Sequence, residues 1–466
     1  MTVGGIHHHR LLIDAVALER RVALIENDRL TRLWIDRGGP ARFDIHLGRV
    51  SKILPEMAAA MVALDGLDDG LLPFDRYSGP LHEGQWVLVQ ISRLGFEDKG
   101  VKLTGRIAIE GVGMILRPGA GHIELPRKLK DEAKRSDLLA LLSGLQADQD
   151  GVMLRSVALD WADSAIMAEY KFLKAQWQKA QKALENAAKP RLVSKAQSET
   201  DQMIERHLIA GGECVVDGTS EFVRLRGVLT MLGKPDDALK RHTGSRLLFE
   251  DQDIEDEITQ ATGTRVELHG GGWLAIDQAT ALCAIDINGA GAETGRDSES
   301  RAVAVNLRAA TEIVHQIRLR NIGGLIVVDP LRMKSRAGRD KFDAEIRNAF
   351  GKELDGAVQI GGFTRLGLYE FSRQRAGESL LATIFAKSQP RRLLVDAALN
   401  ALLRKVVGDA RRGMSGRFDL HLSPETARAI GGHEGAQEIL KNAFGAAAHI
   451  VPDPALENDA YRLEKK

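Results

Sequence analysis

One ordered stretch, from Gly270 to Arg375, limits what this chain can fold into more than any other. It opens with two apolar segments, GGWLAID and ALCAIDIN, joined by the short turn Gln278-Ala279-Thr280. The second ends in the polar residues Asp286 and Asn288 before Gly289. Apolar residues then recur at spacings of four and three, at Val303, Leu307, Ala310, Val314 and Ile317, which predicts a helix running to Gly323-Gly324. The run LIVVD follows, of a length that suits a buried parallel strand ending at Asp329-Pro330. Strand, helix, strand is a crossover unit, right-handed in about 98% of cases, and it lays its two strands parallel. If those strands are neighbours, Asp286 and Asp329 share the carboxyl-end edge of one sheet, where open α/β sheets bind ligands.

Two carboxylates on one edge, with the Asn288 amide carbonyl alongside, make a seat for magnesium, which takes one or two protein carboxylates, several waters and substrate phosphate. Such an ion lowers the pKa of a bound water and stabilises charge growing on a phosphate. Either aspartate alone also fits a strand-end turn former, and Asp before Pro is common in turns. The pair together with Asn288 is what marks a candidate metal edge.

At 466 residues the chain exceeds one ordinary core, since domains usually run to about 100–200 residues, so it is a multidomain protein. With 44% hydrophobic and 27% charged residues it falls in the soluble globular class, and no apolar stretch nears the ~20 residues of a membrane span. The opening MTVGGIHHHRLLIDAV lacks a signal layout, and two cysteines, Cys214 and Cys283, fit a reduced, cytoplasmic setting. Without a CxxC spacing they cannot form a four-ligand zinc site by themselves, and His7-His8-His9 have no partners at metal spacing. A net charge of +0 argues against retention on nucleic acid by global charge, while local basic patches can still neutralise phosphates.

Elsewhere the pattern is of short strands and amphipathic helices. LLIDAV, RVALIEN and LTRLWID, with an Asn27-Asp28 turn, read as a small antiparallel sheet. From Arg42 to about Ile109, five or so short strands broken by Gly and Asp suit a small closed barrel of the OB type, a common single-strand nucleic-acid binder. A long helix is predicted from Trp161 to Ala188, its apolar seam at Ile166, Tyr170, Leu173, Trp177, Ala180 and Leu184 and its lysines on a solvated face. Residues 191–270 mix helix (SETDQMIERHL), a strand-like patch (EFVRLRGVL) and an acidic helix around Asp253. Past Pro390 come a helix, the strand GRFDLHL, a helix opened by Ser423-Pro424-Glu425, a further helix and a last strand at HIV.

Three ordered segments, AIDING, NLRAATEIVHQIRLRNIGGLIVVD and TRLGLYEFSRQR, resemble the catalytic signature of the ribonuclease E/G family. The likeness extends to RLLIDAVALERRVALIENDRLTRLWIDR, to FDIHLGRVSKILPEMAAAMVALDGLDDGLLPF, to GVMLRS and to the closing segment from FDLHLSPETARAI onward. It implies a multidomain α+β and α/β architecture. An RNase H-like subdomain in two parts (1–38 and 196–265) would carry an inserted OB-fold RNA-binding barrel (39–109) and a 5′-sensor region with a long helix (110–195). An α/β deoxyribonuclease-like catalytic domain (266–386) and a small C-terminal α+β domain (387–466) would follow.

The same resemblance implies an endoribonuclease that hydrolyses single-stranded, often AU-rich RNA in ribosomal RNA maturation and messenger decay, leaving a 5′-phosphate and a 3′-hydroxyl. Asp286 and Asp329 would hold Mg2+, with Asn288 placing the metal or its water. Arg373 and Arg375 fall where the family uses arginine near the scissile phosphate, and a guanidinium fork suits that role. Arg155 and Ser156 fit the receptor for a 5′-monophosphate. Several positions depart from the family pattern. Ala386 to Pro390 replace a CPxC pair that joins subunits through zinc, so a homo-oligomer would form without a zinc link. Met61 and Leu71 fall near base-stacking aromatics, shifting barrel binding toward basic groups such as Lys99 and Lys102. Pro330 replaces an aromatic residue and Arg332 an acidic one beside the metal edge. These losses motivate a second reading, a catalytically impaired RNA-binding homologue, against which the retained Asp286, Asn288 and Asp329 argue. A metal phosphatase acting on small esters would leave barrel and sensor without a purpose.

Overall fold

The computed structural model describes residues 9–95, 100–145, 149–231, 233–290, 298–355, 357–374, 377–385, 395–412, 417–444, 448–458 and 460–465. The chain divides into two compact units, Gly38–Arg206 and the remainder.

In the larger unit, the strands His9–Asp14, Arg20–Glu26 and Arg29–Asp36 form an antiparallel meander. Asn27 and Asp28 both adopt left-handed φ (53° and 58°), the geometry of a two-residue turn whose twist matches its strands. The sheet does not end there, as the local pattern suggests. Glu213–Asp217 adds parallel to His9–Asp14, and Leu239–Arg241 parallel to that, giving five strands. Between these two additions the strand-like patch EFVRLRGVL is instead part of a helix, Thr219–Met231. Its buried residues Leu225 and Leu229 lie four apart, a helical period that the valine and phenylalanine content masks.

The second sheet holds the crossover. Its order is Arg265–Glu267, Trp273–Gln278, Leu282–Asn288, Gly324–Asp329, Tyr369–Arg373 and Val358–Phe363. Leu282–Asn288 and Gly324–Asp329 pair in parallel, and their other neighbours are antiparallel. The connecting helix Ser298–Leu319 and the helix Arg336–Phe350 cover one face, where Ile285, Ile287, Ile313, Ile326, Phe342 and Phe350 join one core. The LIVVD run is therefore not a strand buried on both faces: Ile326 and Val328 point inward, while Leu325 on the other face is 43% exposed. The crossover helix also stops short of Gly323-Gly324. Asn321 turns left-handed at φ 48° and the Ile322 N–H closes onto the Ile317 carbonyl at 2.9 Å, the six-to-one bond of a helix terminus.

The C-terminal part places the helices Val395–Arg411, Pro424–Gly431 and Glu434–Phe444 against a three-stranded sheet. Ser423 caps its helix by accepting from Thr426 N at 3.2 Å. The sheet gains an edge strand, Tyr461–Lys465, whose polar sequence YRLEK gave no strand signal.

In the smaller unit, Ile45–Leu54, Ala59–Ala63, Gly70–Pro73, Lys102–Thr104 and Trp86–Arg93 close into a five-stranded barrel. Val62, Leu72, Val89, Ile91 and Leu103 fill it. A four-stranded sheet beside it carries the helix Asp163–Glu185, buried through Ile166, Tyr170, Leu173, Ala180 and Ala183. Leu184, expected on the seam, is 37% exposed because the 3.6-residue turn brings Ala183 inward instead.

Candidate active site and nucleic-acid interface

Asp286 and Asp329 are register partners in the parallel pair, so their Cα atoms sit one strand spacing apart and their side chains leave the same face. The face follows from alternation. Ile285 and Ile287 must bury under the crossover helix, which turns Asp286 and Asn288 outward; Val328 does the same for Asp329. Both carboxylates are exposed. Among the described residues neither is in an ion pair, and one long contact, Asn288 Nδ2 to Asp286 Oδ2 at 3.5 Å, approaches them. Two hard anionic oxygens and an amide on one open face, without a built-in counter-charge, fit a hydrated divalent cation of the magnesium kind. Among the described residues no group of three or more His, Cys, Asp or Glu side chains is placed to hold a metal ion.

Two residues that sequence reading passed over fix the loop after Asp329. Asn306, fully buried on the crossover helix, donates from Nδ2 to the Leu331 carbonyl (2.8 Å) and accepts at Oδ1 from the Leu331 N–H (3.0 Å). Glu299, in the first turn of that helix, accepts from the Lys334 and Ser335 N–H groups, each at 3.0 Å, and from Ser335 Oγ at 2.9 Å. Those backbone donors hold the Glu299 carboxyl below its ordinary value. Leu331 in turn packs over Gly289, where an added Cβ would come within 2.9 Å of Leu331 Cδ1. Gly272, at φ 92°, leaves no room for a Cβ beside the Asn288 carbonyl. A polar asparagine inside an apolar helical face was the available signal for Asn306.

Arg373 is placed elsewhere. It pairs in register with Gly324, five residues from Asp329 along the strand and so roughly 17 Å away at about 3.3 Å per residue. Its guanidinium is buried, donating to the Ile322 carbonyl (3.0 Å) and pairing with Glu353 (3.3 Å). Of the two arginines expected near the scissile phosphate, Arg373 sits at the end of this strand far from Asp329 and braces the sheet. Arg375 lies outside the described residues.

In the smaller unit, Arg155 and exposed Ser156 stand at the end of the strand Gly151–Leu154. The Arg155 guanidinium is 3.2 Å from Glu110, and its backbone N–H donates to the Gly113 carbonyl at 2.7 Å. Glu169 nearby accepts from the Gly113 N–H; burial raises its carboxyl, and the backbone donors and Arg155 oppose that only in part. Lys102 is exposed on the barrel, and Lys99 lies outside the described residues. Register sets Met61 beside Leu71 and Leu71 beside Lys102, one row across three strands. Burial pushes the Cys283 thiol up to about 11 and raises that of Cys214, so both stay protonated and inert. The segment from Ala386 to Pro390 is outside the described residues. Among the described residues no helix is long and apolar enough to cross a membrane.

A paired-carboxylate face on a mixed sheet, with a separate OB-like barrel, defines a nucleic-acid-processing class of protein. Residues 108–376, more than half of the chain, match the family described as Ribonuclease E/G, and the chain belongs to that family, whose members are endoribonucleases. It is similar to Ribonuclease E of Escherichia coli (strain K12), 32% identical over 398 residues covering 80% of this chain and 37% of that protein. Ribonuclease G of the same strain is 27% identical over 471 residues, 91% of this chain and 92% of the relative. Ribonuclease E of Buchnera aphidicola subsp. Schizaphis graminum is 30% identical over 395 residues, 80% of this chain and 41% of that protein. The chain therefore spans well under half of those ribonuclease E relatives and nearly all of the ribonuclease G relative.

Proposed function

We propose that this chain is a magnesium-dependent endoribonuclease that hydrolyses single-stranded RNA, in ribosomal RNA processing and RNA decay, leaving a 5′-phosphate and a 3′-hydroxyl. The observation that carries the reading is the register pairing of Asp286 with Asp329 on an open sheet face. In this reading the two carboxylates hold Mg2+ and Asn288 orients a water or the scissile phosphate beside them. When bound, the ion supplies Lewis-acid stabilisation of the phosphate and a more acidic water. Asn306 and Glu299 keep the Asp329 loop in one position, so little reorganisation is needed when substrate arrives. Arg155 and Ser156 are assigned to a 5′-monophosphate, Lys102 and Lys99 to the RNA strand, and Arg375 to the neighbourhood of the scissile phosphate. The six-part domain division, a cytoplasmic location and a homo-oligomer without a zinc link belong to the same reading.

The test is cleavage of a short AU-rich, 5′-monophosphorylated RNA with Mg2+ by the native chain, by D286N and by D329N. Cutting that stops in both variants and with chelator, while RNA binding persists, supports the proposal. Native protein that binds RNA and never cuts under varied divalent metals overturns it in favour of a binding homologue, which the retention of both carboxylates does not favour.

A further inference from the structure

Arg155 follows the strand Gly151–Leu154, and its backbone is held on both sides: its N–H donates to the Gly113 carbonyl at 2.7 Å, and its carbonyl accepts from the Ala158 N–H at 3.0 Å. The guanidinium therefore stands on a fixed base. It is not left unmatched. Glu110, on the short strand Ile109–Glu110 of the same four-stranded sheet, lies 3.2 Å from it. Glu110 is itself held from another side, its second carboxylate oxygen accepting from Gln202 Nε2 at 2.9 Å. With side-chain exposures of 27% for Arg155 and 13% for Glu110, the pair is partly shielded from the water and salt that weaken surface ion pairs. A second carboxylate, Glu169, accepts from the Gly113 N–H with both oxygens (3.0 and 3.1 Å) and feels the Arg155 charge. One guanidinium thus answers to two carboxylates.

A 5′-terminal monophosphate carries a charge of about −1.5 to −2 at pH 7, as a phosphorylated side chain does, and it needs the guanidinium donors that Glu110 already takes. To bind, it must displace Glu110 from Arg155 or settle beside it, like charges a few ångströms apart. A 5′-hydroxyl meets neither obstacle. The advantage of the phosphate is therefore largely cancelled. We infer that Glu110 is a specificity-determining residue: it occupies Arg155 as a built-in substitute for a terminal phosphate, so that the chain discriminates weakly between 5′-phosphorylated and 5′-hydroxyl RNA. The inference rests on the assignment of Arg155 to the RNA end in the nuclease reading above, and it names what controls that receptor.

The experiment compares RNAs of one sequence bearing a 5′-monophosphate or a 5′-hydroxyl, on the full chain as native protein, E110Q, E110A and E110Q/R155Q. Two ratios are read for the pair of RNAs: kcat/KM with Mg2+, and affinity in a D286N/D329N background, where binding is seen without cutting. Thermal unfolding followed by circular dichroism is the folding control. Both native ratios should lie below about threefold, and E110Q and E110A should raise them by at least about tenfold, the worth of one charge-assisted bond released to phosphate. E110Q/R155Q should return them to the native level. A native preference of about tenfold or more would overturn the inference, since it would mean that the receptor is already open. So would an E110Q ratio that stays unchanged or falls, as expected if Glu110 merely orients Arg155, or a gain that survives R155Q. Cleavage by the native chain without any response to Glu110 removes the inference and leaves the nuclease reading standing. A chain that never cuts removes the nuclease reading, and the affinity ratio still decides for or against Glu110.

Discussion

Asp286 and Asp329 are register partners across a parallel strand pair, and so are Asp14 and Asp217 in the five-stranded sheet of the same unit. In backbone terms the two sites are alike. Their surroundings are opposite. Asp14 and Asp217 are 2% and 1% exposed. Asp14 receives Arg21 (2.9 and 2.5 Å) and Arg404 (2.9 Å), and Asp217 receives Arg411 (2.8 and 2.6 Å) and the Leu248 N–H (3.0 Å). Burial by itself would raise the Asp14 carboxyl, but Arg21 and Arg404 outweigh it and hold the group below its ordinary value. One carboxylate pair is thus sealed by guanidinium groups and ties the helix Val395–Arg411 to the first sheet. The other is left exposed, with no ion pair among the described residues. Paired carboxylates at a strand end define a site only where the protein supplies no counter-charge of its own.

The largest expected effect comes from the sealed pair. D14N should cost about 3–5 kcal/mol of stability by removing the buried carboxylate that Arg21 and Arg404 share, each keeping one other partner (Glu255 and Glu19), and D217N less because Arg411 is partly exposed, read from denaturant unfolding, with cleavage per folded molecule retained. Unaltered stability would show that the arginines are solvated and the contrast false. At the open pair, D286N or D329N should lower cleavage by more than about 100-fold, beyond the 10–100-fold typical of outer-shell changes, with thermal unfolding nearly unmoved. A fall in melting temperature as large as that of D14N would make the open pair structural too.

N306L should reduce cleavage by about 10–100-fold and raise the Mg2+ concentration needed for half-maximal rate, since the Leu331 loop loses both of its bonds. A melting-temperature drop with an unchanged magnesium titration would confine Asn306 to folding. R373Q should act on the side of the sealed pair, losing about 1–3 kcal/mol of stability while leaving the Mg2+ dependence as it was; a selective loss of turnover would return Arg373 to the chemistry. The mildest test uses acid. Burial, aided by Arg29 and Arg318, lowers His315 on the crossover helix to about 3. The unfolded chain therefore binds the extra proton first, and stability should decline as pH falls below about 6.5, by at most about 1.4 kcal/mol per pH unit. H315Q should flatten that slope in urea titrations between pH 6.5 and 5; an identical slope would locate the acid sensitivity in another group.

Much of the central sheet was legible in the chain because its signals are local. Alternation in ALCAIDIN and LIVVD, and the three-four spacing of the crossover helix, each depend on residues a few positions apart. The barrel strands were marked by their turns. What failed to show was non-local. The helix Thr219–Met231 reads as strand until its burial is known, the edge strand Tyr461–Lys465 is held by pairing rather than by composition, and the motif that carries Arg373 and Arg375 does not say which strand end Arg373 occupies.

The sequence by itself determined that Asp286, Asn288 and Asp329 would sit near the ends of two strands joined by a helix, because side-chain alternation and helical period are written into neighbouring residues. It did not determine which aspartate pair would be open. That choice belongs to the tertiary structure: Arg21, on the adjacent strand, is joined at Asp14 by Arg404 from 390 residues away, and no comparable cation among the described residues reaches Asp286 or Asp329. A carboxylate's chemistry is set by what folding brings against it, and that distance lies beyond any local pattern.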